Sequence, residues 1–133
     1  MINTFLSRKF VIVSMSVALF VAFILLTVQA QAQTAVPFIA INSVTQNQTV
    51  TICTTNFPSE QSFVVTMGEY GSRGITGYYI TTVSSGEGGE LRYTFDIPPA
   101  LQGNNRIAIR LQSRQGYYSF NWFFNTTTIN EHC

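Results

Sequence analysis

Hydrolysis or group transfer needs a nucleophile with a base, a pair of carboxylates, or a bound metal, and this sequence offers few residues for any of them. His132 is the sole histidine and stands next to the carboxy terminus, so a Ser/His/Asp site would rest on a chain end. Glu87 and Glu90 lie in Ser84-Ser85-Gly86-Glu87-Gly88-Gly89-Glu90 and have the residue types of a glycosidase pair or a calcium site. The interspersed glycines read instead as a solvated turn, and no Asp-x-Asp-x-Asp-Gly pattern accompanies them. Cys53, Cys133 and His132 lack zinc-ligand spacing. The glycine-rich stretch Gly68–Gly77 carries Arg73 between glycines, yet it lacks the Gly-Lys-Ser/Thr ending of a phosphate-binding loop. These residues describe a non-enzymatic domain with no cofactor and no metal site.

Binding chemistry has better material. Arg106, Arg110, Gln112, Tyr117, Asn121 and Phe123 share one parity of a strand pair in the last third of the chain, which would group Arg and aromatic side chains on a wet sheet face. Flat apolar surface bordered by directional donors suits a protein or glycan contact. An ordinary cross-strand cation–π pair between Arg106 and Phe123 accounts for the same residues, and both readings stay open. Arg73, in its long loop, is a further binding candidate, because long loops on a rigid scaffold often carry recognition. Asn47-Gln48-Thr49 and Asn125-Thr126-Thr127 match the N-glycosylation acceptor pattern.

The compartment is legible at the amino terminus. Arg8 and Lys9 precede an uncharged apolar run from Phe10 to Val28, and Ala30-Gln31-Ala32 follows as a cleavage site that would leave Gln33 first. Residues 1–32 are therefore expected to be a signal peptide, and residues 33–133 one exported domain. The run is longer than the usual 7–15 residues and near the roughly 20 that span a bilayer, so an uncleaved anchor is the alternative and would be the chain's sole link to a membrane. Without the leader, five arginines face six carboxylates and no lysine remains, a net charge of −1. Counterion release needs clustered basic residues, so nucleic acid is not an expected partner.

The elements that must position these residues read as strands. Period-2 alternation recurs between Gly, Pro, Asn and Ser clusters over Val36–Val44, Thr49–Thr54, Ser62–Met67, Ile75–Val83 and Leu91–Ile97. The Pro98–Gly103 corner holds a single helical turn with Leu101 beneath the sandwich. The last two strands form a hairpin. With Ser113-Arg114-Gln115-Gly116 as its loop, Leu111 faces Tyr118, Ile109 faces Phe120 and Ile107 faces Trp122, while Arg110–Ser119, Ala108–Asn121 and Arg106–Phe123 form the polar face. Phe63, Tyr93, Phe95, Tyr118, Phe120, Trp122 and Phe124 are accordingly assigned to the core. In the second strand, Val50 and Ile52 point inward, which turns Cys53 outward. A tail leaving the last strand could reach it, predicting a Cys53–Cys133 bridge, with Cys133 as an intermolecular thiol the alternative. The whole is expected to be an all-β, two-sheet immunoglobulin-like sandwich of about seven strands.

The run Gly71-Ser72-Arg73-Gly74-Ile75-Thr76-Gly77, the corner Asp96-Ile97-Pro98-Pro99-Ala100-Leu101-Gln102-Gly103, and Arg106–Leu111 continuing through Gly116–Asn125 resemble a group of small exported bacterial β-sandwich modules. The resemblance covers most of residues 36–125 and implies the fold and compartment, but supplies no catalytic residue. The function expected is a secreted or cell-surface module for adhesion or extracellular assembly, with possible partners a surface protein, a glycan or a second copy. The alternative is a carbohydrate-binding module that stacks sugars on Tyr117, Phe123 or the Tyr78-Tyr79 pair.

Overall fold

A computed structural model describes residues 35–133; the expected signal peptide, residues 1–32, lies outside the described residues. The strands are β1 (Phe38–Thr45), β2 (Thr49–Thr55), β3 (Ser62–Glu69), β4 (Tyr78–Ser84), β5 (Arg92–Asp96), β6 (Arg106–Ser113) and β7 (Tyr118–Phe124). They form two antiparallel sheets, ordered β1-β2-β5 and β4-β3-β6-β7. The described residues contain one short 3₁₀ turn, Pro99–Leu101, which starts on Pro because a missing N–H costs nothing there. It buries Leu101 as the Pro-rich corner implied.

The core forms where the inward parities of both sheets meet. Ile39, Val50 and Ile52 face Phe63, Val65, Met67, Ile107, Ile109 and Leu111, and each of these is fully buried. On β5, Phe95 is buried and Tyr93 half-buried. The Tyr93 hydroxyl donates to the Ser84 carbonyl at 2.7 Å, and burial raises its pKa above the usual phenol value.

The hairpin register differs by one residue from the sequence expectation. Ile107 pairs with Phe123, Ile109 with Asn121, and Leu111 with Ser119, while Arg106 pairs with Phe124, Ala108 with Trp122 and Arg110 with Phe120. The turn decides this. Ser113 N–H donates to Tyr117 O at 2.8 Å, and Arg114-Gln115-Gly116 forms a three-residue loop closed by Gly116 at φ +94°. That is a turn with an αL residue in last position, which glycine adopts freely. The four-residue loop expected from the sequence would put β7 one residue out of this register, so the expected core positions of Tyr118, Phe120, Trp122 and Phe124 are corrected to the outer face. Phe123, expected outside, is 3% exposed and belongs to the core.

A polar inward row on β7 has its own cause. The β1 edge passes close to β7 and carries backbone groups that β2 does not satisfy. Ile39 N–H donates to Ser119 Oγ at 3.1 Å, and Asn121 Nδ2 donates to Ile39 O at 2.9 Å. Buried backbone groups need such partners, so Ser119 and Asn121 face in and the aromatic residues between them face out.

Cys53 and Cys133 are bonded, with Cα atoms 5.6 Å apart. Cys53 has the outward parity expected, and the tail lies over that surface: Asn42 Nδ2 donates to His132 O, and Arg92 donates to Glu131 O at 3.3 Å. Higher up, Val44 and Thr128 exchange backbone bonds of 3.1 and 2.8 Å.

Two asparagines join three connections at one end of the domain. Asn47 N–H donates to Asn125 Oδ1 at 2.8 Å, and Asn125 Nδ2 donates to Asn47 Oδ1 at 2.7 Å and to Asn104 O at 3.0 Å. Gly103 N–H also donates to Asn47 Oδ1, at 2.9 Å. The Asn125 amide that would accept a glycan is thus buried and engaged. Asn125→Ala leaves Asn47 N–H and Asn104 O without this partner, and is expected to cost about 1–3 kcal/mol in a urea melt.

Candidate functional site

The outer face of the four-stranded sheet is built by alternation. Outward positions are Ser62, Val64 and Thr66 on β3, then Arg106, Ala108, Arg110 and Gln112 on β6, then Tyr118, Phe120, Trp122 and Phe124 on β7. No carboxylate stands among them. The four β7 aromatics are 39–54% exposed, too much for core residues.

Arginines organise the rings. The Arg110 guanidinium sits over Tyr118, 4.4 Å from its centroid, and Arg106 sits over Tyr70 at 4.2 Å. Arg73 reaches Phe120 at 5.5 Å. Trp122 stands edge-on to Tyr70 and to Phe124, with centroids 5.0 and 5.1 Å away. Each exposed cation–π pair contributes about 0.5–1 kcal/mol, and each aromatic pair about 0.5–1.5 kcal/mol beyond its buried area. The rings are therefore held in place before anything binds. Arg110 Nε also donates to Gln112 Oε1 at 2.9 Å, which fixes the guanidinium from its other side.

The glycine-rich loop brings Arg73 and Tyr70 to this face. It joins β3 to β4, neighbouring strands of one sheet. Thr66 Oγ1 donates to Gly74 O at 2.7 Å and Gly74 N–H donates to Ser72 Oγ at 3.1 Å. Gly74 has φ +68°, and a Cβ there would meet Arg110 Cβ at 2.6 Å, so this position admits no side chain. Arg73 and Thr76 are both held at φ +55°, a strained conformation for non-glycine residues. A groove of about 440 Å³ opens between this loop and the β6–β7 turn, with Val64 and Ile75 on its apolar side and Arg110 and Arg114 on its basic side.

The structure thus brings together Arg73, Arg106 and Arg110 from the sequence candidates. Tyr117 is 40% exposed at the hairpin turn, adjoining the face. Phe123 and Asn121 do not belong to it, for they point inward. Sequence reasoning missed Tyr70, Tyr118, Phe120, Trp122 and Phe124. The signal that identifies them is Gly116, whose place at the end of Arg114-Gln115-Gly116 selects the three-residue turn. Of the alternative stacking residues, Tyr79 is exposed on the β4 edge and its hydroxyl lies 3.2 Å from Thr82 Oγ1. Glu87 lies in the turn after β4, and among the described residues no group of three or more His, Cys, Asp or Glu side chains could hold a metal ion.

No family model matches the chain, and no curated protein or solved structure matches it.

Proposed function

We propose that residues 33–133 form an exported, non-catalytic binding module of immunoglobulin-like type, which uses the outer face of the β4-β3-β6-β7 sheet to hold a protein at the cell surface. The observation that carries this reading is the group of arginines laid over exposed, pre-positioned aromatic rings. Trp, Tyr and Arg are the residues that dominate binding energy in protein interfaces, and fixing them beforehand lowers the entropy lost on contact. The strand order, with β2 and β5 adjacent in one sheet and β3 and β6 adjacent in the other, supports an immunoglobulin-like architecture. The disulfide between Cys53 and Cys133 is consistent with an oxidising compartment outside the cytoplasm.

Carbohydrate binding is the second reading, supported by the number of exposed rings. It is weakened by their arrangement. Sugars stack on open ring faces, and here guanidinium groups lie over Tyr70, Tyr118 and Phe120 while Trp122 meets its neighbours edge-on. Binding of the exported protein to surface-protein extracts and to insoluble polysaccharides separates the two. The R106A/R110A double variant is expected to lose at least tenfold in affinity for the protein fraction and to stay folded, losing about 1–2 kcal/mol of stability with its two cation–π pairs. Retention on neutral polysaccharide that is unaffected by the double variant would refute the protein-contact reading.

A further inference from the structure

Charge on this domain is sorted by face. Arg73, Arg106, Arg110 and Arg114 are four of the five arginines among the described residues, and all lie on or beside the outer face of the β4-β3-β6-β7 sheet. The fifth, Arg92, belongs to β5 in the other sheet, where it donates to Glu131 O. No carboxylate occupies an outward position of β3, β6 or β7. Glu60 and Glu87 flank the β3–β4 pair in a separate cleft, Glu90 and Asp96 bracket β5, Glu131 lies in the tail, and Glu69 ends β3 opposite Ile107, on the inward parity. Cations gathered on one face without interspersed counter-charge give that face a positive potential, even in a domain where five arginines meet six carboxylates.

The arginines keep the donors that a carboxylate needs. Stacking on a ring uses the flat side of a guanidinium and leaves the N–H groups on its rim. Arg110 commits Nε to Gln112 and retains both Nη groups, the pair that bonds a carboxylate at two points. The groove beside it offers a second chemistry. Val64 and Ile75, 38% and 53% exposed, form its apolar side, and Arg110 and Arg114 its basic side.

We propose that this face takes an extended acidic segment of a partner protein, with a carboxylate bound by Arg110 and Arg114 and a nearby aliphatic side chain seated against Val64 and Ile75. The proposal deepens the protein-contact reading and rests on it. Alternate side chains of an extended segment share one side, so an acidic and an aliphatic residue two apart reach both sides of the groove together. Nucleic acid fits less well. Its bases stack on open ring faces, and here guanidinium groups lie over Tyr70, Tyr118 and Phe120.

Fluorescence anisotropy with a labelled peptide of Glu-Ser-Leu-Ser repeats tests the proposal on the oxidised protein. At about 0.01 M salt, where charges act over about 30 Å, binding is expected to be roughly tenfold tighter than for the same peptide with Gln in place of Glu; at about 1 M salt, where the range is about 3 Å, the preference is expected to vanish. Arg114→Glu, in the exposed turn, is expected to weaken binding roughly tenfold, whereas Arg92→Glu, the same charge change on the other sheet, leaves it unaltered. Ile75→Ser is expected to lower affinity for this peptide but not for one with Ser in place of Leu. Equal binding of the Glu and Gln peptides overturns the proposal, as does a loss in Arg92→Glu as large as that in Arg114→Glu, or tighter binding of an oligothymidylate. Self-association at low salt that Arg114→Glu abolishes would seat the Glu60 and Glu87 turns of a second copy on the face and overturn it too. Retention of surface protein that R106A/R110A abolishes, but that R114E and salt leave intact, refutes the acidic partner and keeps the protein-contact reading; absence of any retention sensitive to R106A/R110A refutes that reading itself.

Discussion

Phe123→Ala is expected to destabilise the domain by about 3–5 kcal/mol, while Trp122→Ala, one residue away and larger in volume removed, costs about 1–2 kcal/mol. The difference follows from parity. Phe123 is 3% exposed and closes the core opposite Ile107, so its removal leaves a cavity lined by residues that cannot collapse into it. Trp122 is 39% exposed, and its loss removes two edge-to-face contacts at about 0.5–1.5 kcal/mol each without opening the core. Urea melts of the two variants under oxidising conditions check the order. Equal losses, or a larger loss at Trp122, would restore the four-residue turn and return the aromatic row to the interior.

The second large effect concerns the carboxy-terminal tail. Cys133→Ser opens a loop whose ends are 80 residues apart and, on chain entropy, is expected to lower stability by roughly 4–5 kcal/mol. The tail retains the Thr128 bridge to Val44, so the outer surface of the β1-β2-β5 sheet should become accessible from Cys53 onward while the core keeps its packing. Thiol counting is expected to find none in the unaltered protein and one in the variant. A loss below about 1 kcal/mol would mean that the unfolded chain gains little freedom when the bond is absent.

Much of the architecture could be read before any coordinate. Strict alternation marked Leu91–Ile97 and Ile107–Leu111, and Val50 with Ile52 turned Cys53 outward toward the tail. The β7 strand resisted the same logic for a physical reason. Alternation reports which residues are grouped, and hydrophobicity is then used to decide which group is inside; here the aromatic group is outside, and the inside group is Ser119, Asn121 and Phe123. That inversion depends on β1, whose unpaired Ile39 backbone groups require polar partners from β7. A contact between residues 80 or more positions apart is invisible to local pattern. The β6 arginines were placed correctly because their own strand sets their parity, independently of the turn. Tyr70 and Arg73 were not visible as face residues, since the folding of the Gly68–Gly77 loop back onto the sheet depends on the close approach of Gly74 to Arg110.

Everything proposed for this domain depends on an outward β7 aromatic row, and the protein's single tryptophan reports on it directly. Acrylamide quenching of Trp122 fluorescence, measured on the oxidised protein, is expected to be efficient and to be suppressed when surface-protein extract is bound. Emission that is blue-shifted and resists quenching in the free protein would place Trp122 in the core and contradict both the register and the binding face.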